Sequence, residues 1–292
     1  MKKVLLLALT LLLILSVCGV SSDAQAATKK RTKSPKSKTH ASKKADPKAS
    51  KYTIALDAGH ADNNPGKRSC PYNRDVTHTF KKKTVTVKKG EIFKEHWANV
   101  GVAVQLEKIL TKCGFKVVRS GWDDENAKDD TYDYASKIPE EFPRRDKIRA
   151  ANSDITISIH YNAFGNGVKW ENTARGLVVF YWEGHEQSRI LADHIEKQLI
   201  AIYGQYDRGI KPNKFWMTDN SKMGTKAACL IEHAFMTCED EAYEYFSNPE
   251  AWFNYATATA RGLCNFLDVK YVGPKPTVQK SEPVIPAGRA NF

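Results

Sequence analysis

The sequence predicts an α/β protein built on a single open, mostly parallel twisted sheet that is flanked by helices. Two observations predict this class. Short apolar runs of strand length alternate with longer segments in which apolar residues recur every three or four positions. Glycines and other turn-forming residues separate these segments. Strands that alternate with helices in this way favour parallel pairing around one sheet.

Five apolar runs have the length and composition of buried strands. They are residues 52–58, 115–119, 154–160, 177–182 and 227–232. Val85 and Val87 alternate with threonine inside the polar, lysine-rich segment 61–94, which indicates a hairpin at the surface. Residues 121–143 are acidic and rich in turn formers, so they predict a long loop that could act as a lid.

Four segments have helical periodicity. The clearest contains Val102, Leu106 and Leu110, three or four residues apart, and Gly114 follows as a stop signal. The other predicted helices are residues 145–152, 191–202 and 252–267. The folded body is therefore predicted to span residues 52–268, and residues 269–292, with four prolines, to form a C-terminal tail.

The first 26 residues have the pattern of an export signal. Two lysines precede the apolar run from Val4 to Val17, and small residues lead to Ala24-Gln25-Ala26. The run is short for a transmembrane helix. We expect cleavage after Ala26 and an exported protein. The alternative is a lipoprotein acylated at Cys18, because residues 15–18 loosely resemble a lipobox.

The net charge of +12 is concentrated in one segment. Residues 27–51 contain ten lysines or arginines and one aspartate, whereas residues 52–292 carry a net charge of only +2. The basic segment lacks large apolar residues, so we expect a disordered linker. It would either bind anionic wall polymers or lipid head groups by charge or act as a solvated spacer. The nearly neutral body gives no reason to expect a nucleic-acid partner.

Three predicted strands end in a residue that can bind a metal or move a proton: His60, His160 and Glu232. Sites in α/β sheets gather outside the carboxyl ends of the strands. Glu95 begins a predicted helix, seven residues before Val102 on its sheet-facing side. Two imidazoles and a carboxylate form a normal catalytic zinc set, and a second carboxylate can serve as general base.

The motifs around these residues resemble those of the Amidase_3 family of zinc-dependent N-acetylmuramoyl-L-alanine amidases. They are LDAGH (56–60), E-x-x-x-N-V (95–100), ISIHYNA (157–163) and LIEHAFMTCEDE (230–241), and the similarity runs from about residue 52 to 267. The resemblance implies that His60, Glu95 and His160 bind one zinc ion and that Glu232 is catalytic. One departure is that Ala61-Asp62 replaces the usual glycine pair after the first histidine.

The resemblance further implies a secreted hydrolase that cleaves the amide between N-acetylmuramic acid and L-alanine in peptidoglycan. Two alternatives stay open: a zinc peptidase acting on stem-peptide bonds, and a non-catalytic wall-binding module with the same fold. Asn162 is a candidate for substrate contact, although it could equally form a turn. His96 is expected to point away from the site, and His233 to have a packing role on the opposite side of its strand.

Overall fold

The computed structural model describes residues 44–61, 66–122 and 143–292. The predicted signal peptide, the basic segment as far as residue 43 and nearly all of the predicted 121–143 loop lie outside these ranges.

The described residues form eight strands and six helices. The strands are β1 Thr53–Ala58, β2 Val76–Phe80, β3 Lys83–Val87, β4 Lys116–Ser120, β5 Ile155–Asn162, β6 Leu177–Trp182, β7 Asp207–Asn213 and β8 Ala227–Phe235. The helices are α1 Glu95–Cys113, α2 Pro143–Ala150, α3 Glu186–Tyr203, α4 Asn220–Met223, α5 Glu239–Glu241 and α6 Pro249–Phe266. No helix in these ranges has the length and apolar composition needed to cross a bilayer.

Six of the strands form one sheet in the order β4-β1-β5-β8-β6-β7. β1 pairs in parallel with β4 and with β5, and β5 pairs in parallel with β8. β6 runs antiparallel to β8 and parallel to β7. The predicted class, a mostly parallel open sheet flanked by helices, is confirmed. The remaining strands, β2 and β3, form the predicted surface hairpin as a separate antiparallel pair.

Helices cover both faces of the sheet. The large core lies between the sheet and the layer of α1, α3 and α6, and α6 packs against both of its neighbours. A smaller cluster on the other face joins Ile148 of α2 and Met223 of α4 to the sheet. α1 ends as predicted, because Gly114 adopts φ 100° and its N–H bonds back to the carbonyls of Leu110 and Thr111.

The boundary of the basic segment differs from the prediction. Pro47–Lys51, the end of the segment expected to be disordered, forms a turn of 3-10 helix. Asp46 caps this turn by accepting a hydrogen bond from the N–H of Lys48 at 3.0 Å, and Ala49 is fully buried. A capping carboxylate and one small apolar residue are enough to order a short segment that packs on the body, although its average composition is polar.

The C-terminal segment, residues 269–292, contains no helix or strand, but it is not a loose tail. Val272 is buried in the main core. The N–H of Thr277 donates to Asn254 Oδ1 at 2.8 Å, and the N–H of Ala290 donates to the carbonyl of Phe266 at 2.8 Å. The prolines prevented a helix or strand, as expected, yet single apolar residues and hydrogen bonds hold the segment against α6.

Two carboxyl groups, one from α3 and one from the edge strand β7, lie close together. Glu196 is fully buried, and burial, followed by a hydrogen bond with Asp207, raises its pKa to about 8. That hydrogen bond is the largest cause of the lowered pKa of Asp207. The raised pKa favours the protonated form of Glu196 at neutral pH, and Lys197 Nζ lies 3.0 Å from its Oε2.

This pair predicts a pH dependence of stability. Between the ordinary pKa of 4.5 and about 8 the folded protein holds a proton on Glu196 that the unfolded chain has lost. The free energy of unfolding should therefore fall as pH rises through this range. Relative to wild type, Glu196→Gln should gain roughly 2–4 kcal/mol between pH 5 and pH 9 in urea unfolding. Parallel profiles of the two proteins would contradict the raised pKa of Glu196.

Candidate metal centre

The three predicted ligands meet at the carboxyl edge of the sheet. β1 and β5 are parallel neighbours, so both strands deliver their ends to this edge. His60 lies two residues beyond β1, and His160 lies near the end of β5. Glu95 is the first residue of α1 and points back to the same place. The topology therefore joins residues that are up to 100 positions apart.

The side chains are close enough to share one ion. Glu95 bridges the two histidines: its Oε2 is 3.1 Å from His60 Nε2, and its Oε1 is 3.0 Å from His160 Nδ1. One ligand atom from each residue lies within 4.8 Å of the others. The two imidazole rings stand almost perpendicular, with centroids 4.9 Å apart.

The charge of the cluster suits a cation. Burial alone would raise the pKa of Glu95, but hydrogen bonds with His160 and His60, together with the charge of those rings, place it well below its ordinary value. Glu95 is thus an ionised carboxylate at neutral pH. Its Oε2 also accepts the N–H of Lys67 at 3.0 Å, which fixes its orientation.

Two glycines leave the space that the histidines occupy. A Cβ on Gly59 would lie 2.1 Å from His160 Cε1, and a Cβ on Gly66 would lie 2.3 Å from His60 Cδ2 and 2.6 Å from Glu95 Oε2. Any other residue at these positions would displace a ligand. Position 59 requires glycine because the chain directly after β1 passes close to the ring of His160.

Glu232 lies beside the cluster on the neighbouring strand. In the register of β5 and β8 it is paired with His160. Burial and the negative charge of Glu95 raise its pKa well above the ordinary value. Its Oε2 is buried and has no hydrogen-bond partner among the described residues. A buried carboxyl oxygen without a partner, next to three metal-ligating groups, is unusual unless a ligand or water supplies the contact.

The backbone of His60 is held in an uncommon conformation by a buried arginine. His60 has φ 65°, which costs a non-glycine residue about 1–2 kcal/mol. Arg144 donates to the carbonyls of Ala58 and His60, the former at 2.9 Å, and forms a buried ion pair with Asp57 at 2.8 Å. Ser158 donates to the other oxygen of Asp57 at 2.5 Å. No local sequence signal predicts this role for Arg144.

The role expected for His96 needs correction. His96 is not part of the metal-ligating cluster, as predicted, but it is not a bystander. It is buried, and its Nδ1 bonds with the carbonyl of Gly59 at 2.9 Å, where Asn99 Nδ2 also donates at 2.9 Å. Both side chains come from the first turn and a half of α1, so the helix that carries Glu95 also anchors the turn before His60.

His233 and Asn162 make local contacts. His233 is fully buried, packs on Tyr161 and Tyr255, and bonds through Nδ1 to the carbonyl of His160 at 3.1 Å. This matches the packing role expected for it. Asn162 Oδ1 accepts the N–H of the following residue, Ala163, at 2.8 Å, which is a turn-forming contact. Contact between Asn162 and a substrate remains a prediction.

Removing the arginine should be costly. Arg144→Gln leaves the Asp57 carboxylate buried without its cation, and we expect the free energy of unfolding to fall by about 3–5 kcal/mol in urea titrations. The double variant Asp57→Asn with Arg144→Gln should lose less than the sum of the two single variants, because no buried charge remains. Additive losses would show that the two side chains act independently.

The residues fit a divalent ion such as zinc. Two imidazole nitrogens and one ionised carboxylate, with a fourth position left open, form the donor set of catalytic zinc sites. The glycine cradle and the unpartnered Glu232 oxygen agree with a centre built to hold an ion and a small ligand. His60, Glu95 and His160 would hold the metal.

Comparisons with known proteins agree with this site. LytC of Bacillus subtilis (strain 168), an N-acetylmuramoyl-L-alanine amidase, is 26% identical over 192 residues, which are 65% of this chain and 30% of LytC. The chain thus spans less than a third of that relative. An N-acetylmuramoyl-L-alanine amidase from Clostridium difficile 630 has 25% identity and a TM-score of 0.56, covering 74% of this chain and 97% of that one.

The fold is shared more widely. The catalytic domain of CwlV, an N-acetylmuramoyl-L-alanine amidase from Bacillus (Paenibacillus) polymyxa var. colistinus, has a TM-score of 0.53 at 19% identity, with coverage of 75% of this chain and 99% of that chain. The sequence pattern of the Amidase_3 family, described as N-acetylmuramoyl-L-alanine amidase, matches residues 54–265. Because that match spans most of the sequence and includes all four site residues, the chain belongs to the Amidase_3 family.

Proposed function

We propose that the protein hydrolyses the amide between N-acetylmuramic acid and L-alanine in peptidoglycan, with one zinc ion held by His60, Glu95 and His160. The observation that carries the proposal is the position of Glu232. It lies on the strand next to His160, is fully desolvated at one oxygen, and is not needed to complete the ligand set. A carboxylate in that place is suited to proton transfer.

The chemistry divides between the ion and the protein. Zinc at this site would polarise the lactyl carbonyl and lower the pKa of water to about 7. In its ionised form, which a cation held by the three clustered residues would favour, Glu232 takes a proton from the attacking water and passes it to the nitrogen of L-alanine. The C–N bond breaks, the water oxygen stays on the lactyl carbon as part of a carboxylate, and the stem peptide leaves with a free amine. The hydrogen bonds of His96 and Asn99 to the Gly59 carbonyl hold the turn that positions His60.

The setting of this reaction is the cell wall. The export signal in residues 1–26 supports a periplasmic, extracellular or wall-associated location, with acylation at Cys18 as the alternative form of export. The basic residues between 27 and 51 would hold the enzyme near anionic wall polymers or lipid head groups. Their charge is well suited to a weak, salt-sensitive attachment.

Digestion of purified sacculi tests the proposal. Wild type should release stem peptides with a new amino group on L-alanine, detected by mass spectrometry. Glu232→Ala and chelator-treated wild type should release almost none. Equal products from all three samples would contradict the mechanism.

The same experiment separates the alternatives. A new amino group further along the stem would identify a stem-peptide peptidase. Binding to sacculi without any product from zinc-loaded protein would identify a wall-binding module.

A further inference from the structure

One face of α1 leads away from the metal centre and carries aromatic and basic groups. Trp97, Gly101, Val104 and Lys108 are three or four residues apart, so they share one stripe of the helix. The stripe begins two residues after Glu95. Trp97 is 43% exposed, which is unusual for tryptophan, and Lys94 Nζ lies 5.1 Å from the centre of its ring.

The β2–β3 hairpin adds cations to this stripe. Gly101 admits the ring of Trp252, since a Cβ there would be 2.3 Å from Trp252 Cε3. Lys83 of the hairpin lies above that ring, with Nζ 4.7 Å from its centre. Loss of water against the ring, followed by the charge of Lys108, lowers the pKa of Lys83. The cations of the hairpin and of α1 are thus close enough to repel each other.

These positive charges are not neutralised. Lys81, Lys83, Lys94 and Lys108 form no ion pair with any carboxylate in the described parts of the chain. Two acids of this region pair with other cations: Glu107 with Arg119 at 2.8 Å and Asp75 with Lys88 at 2.9 Å. We name these four lysines and Trp97 the basic–aromatic track. From Lys94 to Lys108 the helix rise gives it a length of about 21 Å.

The proposed reaction makes a ligand with matching chemistry. Each cut leaves a carboxylate on the lactyl group of one muramic acid, so a stripped glycan strand carries repeated negative charges and the flat faces of bare sugars. Exposed tryptophan stacks on sugar faces, and unpaired ammonium groups bind carboxylates. An intact strand has amides in place of these carboxylates and bulky peptides beside the sugars.

We propose that the basic–aromatic track binds glycan strands already stripped of their stem peptides, which keeps the active site next to the remaining stems. The proposal rests on the proposed amidase function. Lys94 directly precedes α1 and Trp97 lies in its first turn, so product glycan lying on the track would extend from the end of the helix that carries Glu95. Attachment would strengthen as neighbouring stems are removed.

The test measures binding without turnover. Zinc-loaded Glu232→Gln protein is titrated with labelled glycan strands that a different amidase has stripped. A matched ligand is the same preparation with its lactyl carboxylates converted to methylamides. At low salt the carboxylate strands should bind about tenfold more tightly, as expected for several exposed ion pairs. The difference should vanish at 1 M salt, where the Debye length is about 3 Å.

Variants assign the effect to the track. In the same background, a triple track variant should lose the preference for the carboxylate strands. This variant is Lys81→Gln/Lys83→Gln/Lys108→Gln. The control Lys222→Gln/Lys275→Gln/Lys280→Gln removes the same charge from other exposed positions and should keep it. Because Lys83 packs on Trp252, Lys81→Gln/Lys108→Gln provides a second variant that leaves that contact in place. Trp97→Ala should weaken both ligands.

Equal binding of the two ligands would overturn the proposal, and so would equal loss in the track variant and the control. Tighter, track-dependent binding of a wall phosphodiester polymer than of stripped glycan would also overturn it, in favour of a different polymer. Because the glycan is made by another enzyme, these outcomes do not depend on the activity of this one. Failure of the proposed function would appear separately, as the absence of new L-alanine amino groups when wild type digests sacculi.

Discussion

Glu232→Gln is expected to lower kcat on peptidoglycan by about 10²–10⁴-fold, the range for loss of a positioned general base. The amide has nearly the shape of the carboxyl group but cannot take a proton from water. Because Glu232 is not one of the three clustered ligands, the variant should still bind one zinc ion. Turnover is measured from the release of stem peptides, and the zinc content is measured by atomic absorption.

The metal content of Glu232→Gln decides how its loss of activity is interpreted. An inactive protein with one zinc per chain supports proton transfer by Glu232. An inactive protein that has lost its zinc would instead show that Glu232 is needed for binding the metal. Activity close to wild type would contradict the proposed mechanism altogether.

Glu95→Gln is expected to abolish both zinc binding and activity. Glu95 is the only ionised carboxylate in the cluster, and its two oxygens face the two histidines. Its removal should weaken zinc binding by more than the 10- to 100-fold that is typical when only an outer-shell partner of a ligand is lost. The dissociation constant is measured by competition with a chromophoric chelator.

Glu91→Gln is a matched control for this variant. Glu91 is an exposed glutamate four residues earlier, and its side chain accepts the N–H of Lys88 at 2.8 Å. Zinc affinity in this control should equal that of wild type. Retained affinity in Glu95→Gln would show that the two histidines bind zinc with another ligand.

The sheet and the clustering of His60, Glu95 and His160 could be predicted because each has a strong local signal. The runs at 154–160 and 177–182 are apolar over the length of a strand, and α1 has clear periodicity with Gly114 at its end. His60 and His160 follow such runs directly. Parallel strands bring their carboxyl ends to one edge, so residues at those ends could be expected to meet.

The support of the site could not be predicted because its contacts depend on tertiary structure. Arg144 reaches Asp57 and His60 across 87 and 84 positions of sequence, and nothing in its neighbourhood distinguishes it from the adjacent Arg145. β7 was missed for a different reason: Asp207–Asn213 contains glycine and proline and few apolar residues, so only its place at the sheet edge makes it a strand.

Because residues 269–292 are attached to the body, they belong to the folded domain that a fusion protein would have to include. Thr277 bonds to Asn254 in α6, whose Nδ2 reaches the Tyr203 hydroxyl at 2.8 Å. The next residue of α6, Tyr255, donates to Gln205, which in turn bonds the carbonyl of His233 beside Glu232. A chimaera that joins this domain to a new targeting module should therefore carry the sequence through Phe292, since a junction placed at the end of α6 would remove contacts behind the strand that carries Glu232.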